Sequence, residues 1–237
     1  MDISCVWEHN GDDTLLHAVE LPGAFSRGES RAAALEKMDG EVRSYLIWAG
    51  ARVPETIRLS IVQEHPCALA VRDADSDVLF DAEKTPLSRE EYERLKGLVL
   101  RSAADFLSLY EAVPDKGRAA GAPRATFYGC VPCTAHEMYL HTKNVNHYYF
   151  SQLEVDADNE GTILQCRRRG FEALEGQPAF LDNPIFHGSF QEDWTLRKLL
   201  RRFLWHDRIH ARALYRMAVG LFPQGEIPNP FHFGPTL

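Results

Sequence analysis

The run from Trp194 to Leu221 constrains this chain most, because it reads as one long amphipathic helix with two histidines on its apolar stripe. Leu199, Phe203, His206, His210, Leu214 and Met217 recur at three- and four-residue steps and so share a face. His206 and His210 stand one turn apart on it. A buried imidazole without a partner costs roughly 1–3 kcal/mol. Core-facing rings therefore need either hydrogen-bonding neighbours or a shared divalent metal ion. The spacing leaves both open, since a histidine pair at i, i+4 serves zinc sites and also arises by chance. Asp207 takes the place of Glu in an HExxH pattern, but it is one methylene shorter and about 100° around the helix from His206, which disfavours a zincin-type peptidase.

A third imidazole adds to the pair. Thr134 and Glu137 have the spacing of a capping box and predict a helix from Thr134 to about Leu153. Met138, His141, Val145, Tyr148 and Tyr149 share one face of it, so His141 is expected to look inward. His147 lies roughly 120° away around the helix and reads as interfacial or surface. Three imidazoles with a position left for water or substrate have the composition of a catalytic metal site. Asn144, Tyr148 and Asp207 are candidates for orienting the ligands.

An inward histidine on one helix followed by HxxxH on a later one resembles the DinB-like four-helix metalloproteins. Tyr139-Leu140-His141 through Tyr148-Tyr149-Phe150 is similar to the family's second helix, and Trp194-Thr195-Leu196-Arg197-Lys198 leading into Leu204-Trp205-His206 to its metal-bearing final helix. The family's commoner ending HRGQ is replaced by His210-Ala211-Arg212-Ala213. The resemblance covers roughly Pro86 to Phe222. It implies that His141, His206 and His210 are the ligands of a divalent transition metal (zinc, nickel, iron or manganese). It also implies activation of a small thiol or a water, for S-transfer, isomerisation or hydrolysis of a small molecule.

The first part of the chain has another character. Ile3–Trp7, Leu15–Leu21 and Thr56–Val62 have strand patterning, with Leu21-Pro22-Gly23 a turn or bulge. Ser30 caps a helix carrying Leu35, Met38, Val42 and Tyr45. Leu69–Val71 and Val78–Phe80 are shorter strand candidates, and the order is β-β-α-β. The wording HAVELPGAFSRGES, a helix and a Val53-Pro54-Glu55 turn resembles the HicB-like fold over roughly the first 60 residues. That resemblance implies an interaction module or a substrate-covering domain. The expected class is α+β: a small HicB-like α/β domain over residues 1–85, then a DinB-like antiparallel four-helix bundle with a C-terminal tail over residues 86–237. The helices are predicted from Ser88 (with Glu91 as a second capping box) to Pro114, from Thr134, over Glu160–Leu174, and over Trp194–Leu221.

Composition closes off other classes. A formal charge of −8 argues against non-specific nucleic-acid binding. No apolar run approaches the roughly 20 residues of a membrane span. Glu8, Asp12 and Asp13 interrupt any signal peptide, so a cytoplasmic location is expected. The basic runs Arg167–Arg169 and Arg197, Lys198, Arg201 and Arg202 read as solvated helix faces. Cys130-Val131-Pro132-Cys133 lacks the second pair of a zinc ribbon, and Cys133 before a helix start favours a thiolate. His187 and His232 are the late imidazoles from which a fourth ligand would come, and the aromatic tail either straps onto the bundle or meets a second subunit, leaving a homodimer open. The competing functional reading is a non-catalytic, metal-stabilised bundle whose HicB-like domain binds a protein partner.

Overall fold

A computed structural model describes residues 1–122, 124–126, 129–224 and 226–234 of the chain. It is a mixed α+β structure with five α-helices and a small mixed sheet among the described residues. In chain order the elements are β1 (Asp2–Asn10), β2 (Asp13–Ala18), β3 (Phe25–Gly28), α1 (Arg31–Trp48), β4 (Arg58–Pro66), α2 (Arg89–Ala112), β5 (Arg124–Thr126), β6 (Gly129–Val131), α3 (Ala135–Ser151), α4 (Ile163–Glu175), β7 (Phe186–His187), β8 (Asp193–Trp194) and α5 (Leu196–Leu221). No helix is long and apolar enough to cross a membrane.

The main sheet has the order β3-β2-β1-β4, antiparallel except for the parallel β1–β4 pair, whose register shifts between Cys5 and Val6. Ile3, Cys5, Leu16 and Ala18 belong to one apolar cluster with Met38, Val42 and Tyr45 of α1. The alternate positions look the other way, as the two-residue period of a strand requires. There Leu15 and Phe25 meet Val71 and Trp205 of α5, while Val6 packs with Val78 and Phe80. The predicted strands at Leu69–Val71 and Val78–Phe80 are absent: Val71–Asp73 is a 3-10 turn and 78–80 is irregular. β3, which sequence patterning missed, is a short edge strand laddered to β2.

Helix starts follow the caps. Ser30 and Ser88 side chains accept from the N–H three residues on, and Thr134/Glu137 and Thr162/Gln165 form reciprocal capping boxes. The expected box at Ser88 is only half made, because the Glu91 carboxylate pairs with Arg197 instead. α5 packs against α2 and α3, and α4 packs against the same two helices. The apolar core runs without a break from Ile3 through α1 to Phe203 and Leu214 of α5. Gly23 makes this close approach feasible. It has φ +94°, and a Cβ placed there would lie 2.5 Å from Leu204 Cβ and 2.9 Å from the Trp205 backbone nitrogen. The β2–β3 turn thus presses on α5 immediately before His206.

The expectation of solvated basic faces holds for Arg168 and Arg169, which are exposed, but fails for Arg167, Lys198 and Arg201. Lys198, Arg201, Arg208 and Arg167 are all buried. Each has a partner far away in sequence: Arg201 on Glu83 (2.5 Å), Arg208 on Glu41 (2.8 Å), Arg167 on Asp207 (3.2 Å), and Lys198 Nζ on the Asp77 carbonyl (2.6 Å). Glu41 also accepts from Arg212. A buried charge is tolerated only when paired and hydrogen-bonded, and these pairs tie α1, α4, the connector at Asp77 and the Asp81–Lys84 turn to α5.

Candidate metal centre

His206 and His210 project from one side of α5, and His141 meets them from α3. One ring nitrogen of each lies within 4.8 Å of the others. The Nε2 atoms of His206 and His210 are 3.1 Å apart. Ring centroids are separated by 4.3 Å (His206–His210), 4.5 Å (His141–His210) and 5.3 Å (His141–His206). An ion bound at about 2.0–2.1 Å by tetrahedral imidazoles holds its donors roughly 3.3 Å apart; the His206–His210 pair already has about that spacing, and His141 brings a ring nitrogen within 4.8 Å of both.

Burial grades across the three. His206 is 8 % exposed, His210 is half-buried and His141 is exposed. The rings thus converge, but the site opens to solvent on the α3 side. Tyr149 stands edge-on to His206 at 5.9 Å and forms a wall of the buried side. The His206 imidazolium is strongly disfavoured, first by burial and then by the charges of His210, His141, Arg202 and Arg167. Burial and then His141 and Arg27 do the same to His210, and burial lowers His141. Neutral imidazoles are the form that ligates metals.

Hydrogen bonding shows the same deficit. Among the described residues the triad's rings bond only to each other, through the His206–His210 contact, and Nδ1 of His206 is buried with no partner. That last atom departs from the usual arrangement, in which the second nitrogen of a metal-bound histidine donates to a carboxylate or carbonyl. The expected orienting residues do not supply it. Asp207 is fully buried in a two-point pair with Arg167 (3.2 and 3.4 Å), Asn144 is exposed, and Tyr148 packs on Tyr149 and Trp194. His187 pairs with Asp193 at 2.7 Å, and His232 is exposed on the tail, where its carbonyl accepts from Ser44. Neither joins the triad. His147 is exposed and bonds the Ala157 carbonyl.

Cys130 and Cys133 are free thiols. The Cys133 thiol donates to the Glu137 carboxylate, which raises its pKa and reverses the expected preference for thiolate.

A second cluster escaped the sequence analysis. Glu8, His65 and Asp77 also place ligand atoms within 4.8 Å of one another, and His17 adjoins them. Here every group is occupied. Glu8 Oε1 accepts from the backbone N–H of Asp77 (3.0 Å) and Val78 (3.3 Å), Oε2 accepts from His17 (3.2 Å), and His65 bonds Asp77 (2.9 Å). Burial alone would raise the Glu8 pKa, but His17 and the backbone donor more than offset it and hold the carboxyl down to about 2. His17 stays neutral because it is buried. The signal available in the sequence was a Glu and a His at sheet positions that alternation turns inward.

No family model, no curated protein and no solved structure matches this chain.

Proposed function

We propose that this chain is a metal-dependent enzyme of the DinB-like type, with His141, His206 and His210 holding one divalent transition metal ion. In this reading the helices α2 to α5 are a DinB-like four-helix bundle and residues 1–85 a HicB-like domain. The observation that carries it is the unmet bonding of the triad: three neutral imidazoles converge, and no protein donor or fourth ligand serves them among the described residues. A divalent ion there supplies a lowered pKa to a thiol or a water, giving a nucleophile near neutral pH. The chain's own part is to keep the imidazoles unprotonated by burial and neighbouring cations, to wall one side with Tyr149, and to leave the His141 side open to a small substrate. S-transfer or hydrolysis of a small molecule is the reaction class that fits.

One observation favours a second reading, a metal-stabilised bundle without catalysis whose HicB-like domain binds a partner. Asp207, the nearest carboxylate in sequence, is locked by Arg167 and cannot act as a base. Elemental analysis of purified protein and a cobalt spectrum separate these readings. The enzyme reading expects close to one transition metal per chain, loss of it in His206→Ala, and a cobalt spectrum perturbed by small thiols or imidazole. Full metal occupancy in His206→Ala would overturn the ligand assignment. A spectrum indifferent to both additives would leave the metal only a structural role.

A further inference from the structure

Beside the triad, a cleft of ≈ 400 Å³ opens where β3, α1 and α5 meet. Its α5 wall is Ile209, Arg212, Ala213 and Arg216, so it begins one residue before His210 and continues along the adjoining side of the helix. Arg27 from β3 and Lys37 from α1 close it from the other part of the chain. The volume falls within the roughly 300–1,000 Å³ usual for small-ligand sites.

The charges of this cleft are unlike those of the chain as a whole. Four cationic side chains line it in a protein of net charge −8. Of the acids that line it, Glu41 is already consumed by two arginines: Arg208 takes one oxygen at 3.0 and 2.8 Å, and Arg212 takes the other. Asp13 and Glu29 remain, and neither is buried. The Arg27 guanidinium feels the repulsion of Arg212, the attraction of Asp73 and the repulsion of Arg216, and its charge in turn reaches His210. A concave surface carrying more cations than acids raises the local concentration of anions. Guanidinium groups are the side chains best shaped to grip a carboxylate or phosphate at two points.

We propose that the cleft binds the carboxylate or phosphate group of a small anionic substrate and thereby presents the rest of that molecule to the histidine triad. This deepens the metal-enzyme reading and rests on it for the second half of the statement. It also gives the N-terminal part a role: β3 and α1 supply half of the substrate site, which α5 alone cannot build.

Calorimetric titration of the full-length protein with inorganic phosphate and, separately, with succinate tests this. Each probe is run on metal-loaded and on chelator-treated samples. The expected result is saturable binding of at least one probe, weakened tenfold or more in Arg27→Gln and in Arg216→Gln. Both arginines are exposed, so metal content and melting temperature should stay at the wild-type values. Preference for phosphate or for succinate identifies the anionic group. Binding of neither probe by the wild type, or unchanged affinity in both variants, overturns the proposal. So does binding that vanishes in His206→Ala while both arginine variants retain it, because the anion then sits on the metal. If no metal is found but arginine-dependent binding persists, the metal reading fails and the anion site stands.

Discussion

The Glu8–His65–Asp77 group with its neighbour His17 and the His141–His206–His210 group both gather nitrogen or oxygen donors within reach of a common point. Distance alone does not tell them apart; the state of their lone pairs does. On the sheet, both Glu8 oxygens face N–H donors and His65 has Asp77, so the cluster is complete as a hydrogen-bonded knot joining β1, β2, β4 and the connector before α2. On α5, the Nε2 atoms of His206 and His210 meet at 3.1 Å, and among the described residues the rings have no other hydrogen-bond partner. One N–H···N bond between neutral rings satisfies that contact and leaves His206 Nδ1 buried without a partner, while burial beside Arg202 and Arg167 works against a second proton on the ring. The cluster with unmet ring nitrogens is the one that could hold a metal ion, and the saturated one serves as a structural joint.

The largest effect expected from this contrast is on the sheet side. Glu8→Ala strands a buried imidazole and two backbone donors, and should cost about 3–5 kcal/mol in urea unfolding, with metal content per folded chain unchanged. A stable variant that lost its metal would mean the two clusters are coupled.

Metal addition comes next. At free metal a thousandfold above Kd, the wild type should gain about 4 kcal/mol of unfolding free energy, and His210→Ala should gain almost none. Equal gains in both proteins would show that the ion binds elsewhere, with the Glu8 cluster the first place to look.

Acid supplies a smaller and selective effect. Glu8 titrates below its ordinary value of 4.5, down to about 2, in the folded chain. The stability it contributes is therefore whole above pH 4.5 and drains away as pH falls towards 2. The difference in unfolding free energy between wild type and Glu8→Gln should shrink by on the order of 2–3 kcal/mol over that window. A difference independent of pH would show that Glu8 is not held ionised.

The least effect is expected at the rim. His65 and Asp77 are 35 % and 44 % exposed at their side chains, so His65→Ala should change stability by less than about 1 kcal/mol. A larger loss would place His65 inside the knot rather than at its edge.

The helices were legible because their signals are local. Ser30, Ser88 and the Thr134/Glu137 box sit within four residues of the N–H groups they satisfy, Pro114 stops the helix that Ser88 starts, and Pro223 follows the end of α5. The metal candidates were legible for the same reason: helical spacing fixes His206 and His210 on one stripe with Leu199 and Phe203, all four of them buried or half-buried in the structure. His141 was placed on the correct face, but its exposure was not foreseen, because that depends on how far α3 overlaps α5.

What the sequence could not carry is long-range charge pairing. Arg208 and Glu41 are 167 residues apart and Arg201 and Glu83 are 118 apart, so a row of arginines that reads as a solvated face becomes a buried seam. Nor does spacing in β1 and β4 show that Glu8 and His65 will meet, since the parallel register and its shift at Cys5/Val6 put them side by side. Helical periodicity, capping and the histidine stripe were thus determined by the sequence itself, through interactions spanning one or two turns. The saturation of one cluster, the unmet bonding of the other and the cationic cleft between β3, α1 and α5 were decided only by the tertiary structure, because each depends on which distant groups share the same excluded volume.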